Sequence, residues 1–103
     1  MKYRTLGDSS IKVSEIGFGA WGIGGSKNNS IGYGTTDDGE SIKALHYAQD
    51  NGINFYDTAP LYGLGHSENI LGQAFKHNRD KVIISTKVGI VNFKGDIDFS
   101  KEN

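Results

Sequence analysis

The 103-residue chain contains no cysteine, one proline and one tryptophan. Without cysteine, disulfides and thiolate metal sites are excluded. Net charge is -1 at neutral pH, so no basic surface exists for nucleic acid or an anionic membrane. No apolar run approaches the roughly 20 residues that a membrane-spanning helix needs. The opening MKYRTLGDSS lacks the apolar stretch of a secretory signal. A cytoplasmic protein is therefore expected. Hydrophobic residues make up 36% of the chain, too many for a disordered one. What is plentiful is glycine, 15 residues in all, which marks turns and close backbone approaches.

The local patterns predict alternating strands and helices. Lys2–Leu6 and Ile11–Val13 flank the turn residues Gly7-Asp8-Ser9-Ser10 and read as a hairpin. Glu15–Phe18 is a third short strand. Residues 22–36 are rich in Gly, Ser and Asn and read as a loop. Asp37 with Glu40 three residues on matches a helix capping box, and Ile42, Leu45 and Ala48 recur on one helical face. Asn51-Gly52 ends that helix, and strand Ile53–Tyr56 follows. A second helix is expected from about Ser67 to His77, with Ile70, Leu71, Ala74 and Phe75 as its stripe. Gly72 inside it points to a close packing contact. Val82–Ile84 reads as a strand buried on both faces. Beyond Gly89 no periodicity is visible. This order implies βαβ units and a parallel sheet.

Gly17-Phe18-Gly19-Ala20-Trp21-Gly22 spells the G-x-G-x-x-G of dinucleotide-binding turns. That motif needs a helix opening at its third glycine. Here Ile23-Gly24-Gly25-Ser26 follows, and the next helix pattern starts near Asp37. The stretch reads instead as a loop after a strand, with Trp21 as an exposed aromatic able to pack on a ligand.

Asp57 ends one expected strand and Lys87 ends the next, with Tyr62 in the loop after the first of these. Parallel α/β folds gather such strand ends on their ligand-binding side. A Lys⁺ near a phenol favours its ionised form, and an aspartate would hold that lysine charged and oriented. The trio suits protonation of a carbonyl oxygen as hydride arrives at carbon. The plainer reading of the same residues is a capping Asp, a packing Tyr and a solvated Lys.

DTAPLYGLGHSE (57–68) and STKVG (85–89) resemble the signatures of the aldo-keto reductases, and RTLG with KVSEIGFGAWGIGG resembles that family's opening. The likeness runs from Lys2 to about Val91. It implies the N-terminal portion of a single (β/α)8 TIM barrel over residues 1–103, an α/β fold whose opening hairpin closes the barrel bottom. It further implies reduction of a small carbonyl substrate, an aldehyde or ketone, with NADPH or in some members NADH. Asp57, Tyr62 and Lys87 match catalytic positions, with Tyr62 as proton donor. Ala20, Trp21 and Asp57 match positions near the nicotinamide ribose or substrate. The family's catalytic histidine follows a fourth strand that these residues do not include. His46 and His77 are expected within helices, while His66 lies in the loop after Tyr62, near the pocket. No metal-ligand spacing is present. With later strands and cofactor loops outside these residues, activity of the 103-residue chain alone is not expected. The alternative is a non-catalytic product, a fragment or a cofactor-sensing module such as the redox-sensing subunits of potassium channels. Oligomeric state carries no signal.

Overall fold

Gly7, at φ 56°, lets the chain reverse within the first ten residues. In the computed structural model, which describes residues 1–25, 37–90 and 97–98, this turn joins β1 (Tyr3–Thr5) to β2 (Lys12–Ser14). The pair is antiparallel, with Arg4 opposite Val13. Ser9 stitches the turn, its hydroxyl donating to the Leu6 carbonyl and accepting from the Ile11 amide.

The parallel sheet has three strands in the order β3 (Phe18–Gly19), β4 (Phe55–Asp57), β5 (Ile83–Ser85). Its register sets Gly19 beside Asp57 and Asp57 beside Ser85. The first of these strands is shorter and later than the pattern suggested: Glu15 and Ile16 lie ahead of it, both exposed. The expectation that Val82–Ile84 is covered on both faces holds only for Val82. Ile83 and Ile84 are half-buried, because β5 is the last strand of the described sheet.

Helix α1 (Asp38–Asp50) is capped as its sequence requires, Asp37 accepting from the Glu40 amide at 3.0 Å. It ends at Asn51, and Gly52 turns the chain at φ 93°. Leu45 and Ala48 are buried, with Ile42 packed beside them. Helix α2 (His66–Ala74) is shorter than expected. Its stripe of Ile70, Leu71 and Ala74, with Phe75 at the C-cap, is buried throughout. His77 therefore lies past the helix, in the following turn. Gly72 is exposed, and a Cβ there would meet no atom within 4 Å, so the close contact expected of it does not exist. His46 is a helix residue, as expected, with Nε2 2.7 Å from the Ala74 carbonyl, which ties the two helices together.

Both helices and the sheet enclose a core of Ala20, Leu45, Tyr56, Ile70, Leu71, Phe75 and Val82. The Tyr56 ring packs between Phe18 and Phe75, at 5.8 and 4.7 Å between centroids. The hairpin is bolted to the segment leading into β4. Asn54 accepts from the Ser14 amide at 2.7 Å and donates to the Lys12 carbonyl at 2.9 Å. The Tyr3 hydroxyl donates to the Gly52 carbonyl at 2.7 Å. The hairpin thus sits at the N-terminal end of the sheet, opposite Asp57.

The tail without periodicity contains a short antiparallel pair, β6 (Gly89–Ile90) with β7 (Ile97–Asp98). Two-residue strands are too short to show an alternating pattern. Residues 26–36 of the glycine-rich loop lie outside the described residues.

Candidate active site

The C-terminal ends of β3, β4 and β5 finish level, and their hydrogen bonding runs one residue beyond the strands. The Ala20 amide donates to the Asp57 carbonyl and the Thr58 amide to the Ser85 carbonyl, each at 2.8 Å. This rim fixes the backbone of Asp57 from both sides. Tyr56 points into the core, so the alternation of the strand turns Asp57 to the opposite face. There its side chain is 44% exposed.

Lys87, two residues past β5, reaches across to it. Nζ lies 3.2 and 3.3 Å from the two Asp57 carboxylate oxygens and 2.7 Å from the Thr58 carbonyl. The same ammonium stands 5.3 Å from the Tyr62 ring centroid, a cation–π distance. Asp57, Tyr62 and Lys87 are therefore brought together by the fold, with the lysine in the middle. The cation addresses the face of the phenol, a contact that spacing alone did not reveal.

Tyr62 is carried by a tight loop. Its amide donates to Ala59, and its carbonyl accepts from Ser67 at the start of α2. Gly63, Leu64 and Gly65 follow in left-handed conformations at φ 68°, 53° and 94°. Gly63 also touches backbone: a Cβ on it would stand 2.0 Å from the Gly24 carbonyl oxygen, and one on Gly24 would stand 2.9 Å from the Tyr62 carbonyl carbon. The glycine-rich segment after Trp21 thus serves close approach to the tyrosine loop.

Ala20 is fully buried, and both its backbone groups are engaged, with Asp57 and with the Ser67 hydroxyl. Trp21 opens a single 3-10 turn, Trp21–Ile23. It is half-buried, not the exposed aromatic expected. His66 places Nε2 2.7 Å from Asp38 Oδ1 at the start of α1. Beside Lys87 lies a cavity of about 330 Å³ lined by Ala59, Pro60, Leu61, Lys87 and Val88, within the size range of small-molecule pockets. Among the described residues no cluster of metal-binding side chains is present, and no helix is long and apolar enough to cross a membrane.

Four polar residues at this rim escaped the sequence reading: Thr58, Ser67, Glu68 and Thr86. The Ser67 hydroxyl bonds Thr58 and Ala20, and Glu68 accepts from the Thr86 hydroxyl. All four stand inside the DTAPLYGLGHSE and STKVG strings, and each lies immediately next to a strand end or in a helix's first turn, but neither signal revealed their contacts.

Comparison with known proteins bears on the family and the fold. Residues 15–103 match the model of the aldo/keto reductase family. An aldo-keto reductase of Bacillus subtilis, YhdN, is 44% identical over 92 residues, covering 87% of this chain and 26% of that protein. The NADH-specific methylglyoxal reductase of Escherichia coli is 42% identical over 92 residues, 88% of this chain and 27% of that protein. The solved holo form of aldo-keto reductase AKR11C1 from Bacillus halodurans superimposes with a TM-score of 0.73 at 37% identity, covering 86% of this chain and 26% of that one. The chain thus spans about a quarter of the length of these relatives, and its sheet corresponds to the first strands of their (β/α)8 barrels. The chain belongs to the aldo/keto reductase family.

Proposed function

We propose that residues 1–103 supply the proton-transfer half of a cytoplasmic NAD(P)H-dependent oxidoreductase that reduces small aldehydes or ketones to alcohols. The observation that carries this reading is Lys87, held by Asp57 and the Thr58 carbonyl with its charge over the Tyr62 ring. Tyr62 gives its phenolic proton to the carbonyl oxygen. The Lys87 charge offsets the negative charge left on the phenol, in the sense of preorganised electrostatic stabilisation. Asp57 gives the ammonium a counter-charge, while the Thr58 carbonyl makes its shortest contact. The apolar wall of Ala59, Pro60, Leu61 and Val88 takes the substrate's carbon skeleton and keeps water from it.

The rim fits one end of a dinucleotide. Asp57, beside Lys87, and Trp21 in the turn after β3 both retain accessible surface, and a carboxylate suits the hydroxyls of a ribose. Ala20, being covered, contributes through the Asp57 carbonyl that its amide holds. Bound NADPH or NADH supplies the hydride. The methylglyoxal reductase similarity keeps NADH in play beside NADPH. Residues 1–103 alone do not turn over on this reading, because the relatives are about four times longer.

The test is reduction of an aldehyde panel by the whole encoded polypeptide with each cofactor. Tyr62→Phe is expected to lower kcat by roughly 10²- to 10⁴-fold while cofactor binding persists. Turnover unaffected by Tyr62→Phe refutes the proton-donor assignment. Tight cofactor binding without turnover of any carbonyl favours the sensing module. Turnover by residues 1–103 alone refutes the inactivity of that segment.

A further inference from the structure

Helix α2 opens on two polar side chains to which the proposed chemistry assigns no task. Ser67 is fully buried, a costly place for a hydroxyl unless its hydrogen bonds are made. It lies 2.9 Å from the Ala20 carbonyl and 2.8 Å from Thr58 Oγ1. A carbonyl can only accept, so the single Ser67 proton goes to Ala20 and the Thr58 hydroxyl donates to Ser67. Glu68, half-buried, accepts from Thr86 Oγ1 at 2.5 Å. One dipeptide therefore reaches the residues that follow β3, β4 and β5.

Two of those residues control Lys87. The lysine and Asp57 side chains are 51% and 44% exposed, so water screens their ion pair and makes it a weak anchor. A lysine stem has much rotamer freedom to lose. Its shortest contact is the Thr58 carbonyl at 2.7 Å. Thr58 is held by Ser67 through its hydroxyl. At the other end, the Lys87 backbone follows directly on Thr86, held by Glu68. We infer that Ser67 and Glu68 are positioning residues for Lys87, each fixing one end of that side chain. The inference rests on the catalytic role proposed for Lys87.

The experiment uses the whole encoded polypeptide as wild type, Glu68→Ala, Glu68→Gln, Lys87→Met and the double variant Glu68→Ala/Lys87→Met. Two quantities are read: kcat and KM for aldehyde reduction, and the rate of Lys87 acetylation by limiting acetic anhydride, relative to other lysines. Glu68→Ala is expected to lower kcat roughly tenfold, since small misplacements of catalytic groups are costly, with KM changed less than about twofold. Lys87 acetylation should rise about twofold or more as its anchor loosens. Glu68→Gln keeps an acceptor oxygen and should restore most of both. In the Lys87→Met background, Glu68→Ala should cost nothing further.

A full additional loss in that background, or unchanged Lys87 acetylation in Glu68→Ala, overturns the inference. A wild type without turnover counts against the catalytic reading, and acetylation then decides positioning by itself. Ser67→Ala is expected to behave like Glu68→Ala. Should it fail to fold, the Glu68 variants, on a half-buried side chain, still carry the test.

Discussion

Tyr56 and Asp57 are neighbours with opposite fates, one in the core and one at the site. The Tyr56 hydroxyl donates to the Ile53 carbonyl at 2.8 Å. Burial pushes its pKa up to about 12, and the negative charge of Asp50 adds to the rise. A raised value means the fold favours the neutral phenol. The associated stability is complete below the unfolded value, near ~10, and is lost as pH climbs through about 12. The urea midpoint of the whole polypeptide should therefore fall across that window. Tyr56→Phe should remove this part of the fall, at a cost of about 1 kcal/mol at neutral pH from the lost hydrogen bond. Parallel pH profiles for the two proteins would contradict it. At this scale the sequence was legible where a residue's place follows from strand ends, as for Asp57 and Lys87. It was not legible for Ser67 and Thr58. A hydroxyl residue next to an apolar stripe reads as solvent-facing, and only the folded rim shows it fully enclosed.

Helix α1 was readable from both ends, because Asp37, Glu40 and Gly52 act locally, whatever the helix packs against. Helix α2 was less so. Its N-cap, Gly65, offers no side chain, and its last turn unwinds before His77. Glycine had two opposite meanings that a string of letters does not separate. Gly72 lies in open, exposed helix, so Gly72→Ala should stabilise by roughly 0.5–1 kcal/mol. Gly63 combines a left-handed backbone with contact against Gly24. Gly63→Ala should cost about 3 kcal/mol or more, strain and overpacking together, and should displace the Tyr62 loop with it. Chemical denaturation of both variants checks the pair, and similar effects of the same sign would refute the distinction.

Among the described residues the sheet is incompletely covered: Ile83 and Ile84 are only half-buried and Val88 is 69% exposed. The outer side of β5 has no neighbouring strand among the described residues, a template for unwanted pairing. Residues 1–103 produced alone should aggregate and lack a cooperative thermal transition. A sharp, reversible melt of a soluble monomer would overturn that. The parallel sheet was legible from the alternation of elements, while the β6–β7 pair was too brief to leave a pattern. One placement has a practical reach of its own. Trp21 is the chain's single tryptophan, and it sits in the turn directly after buried Ala20, whose amide grips Asp57. Within residues 1–103 its fluorescence therefore comes from one known place, one residue past the amide that holds the strand-end rim. Emission from this segment is a built-in report on whether that rim is packed, readable without a label.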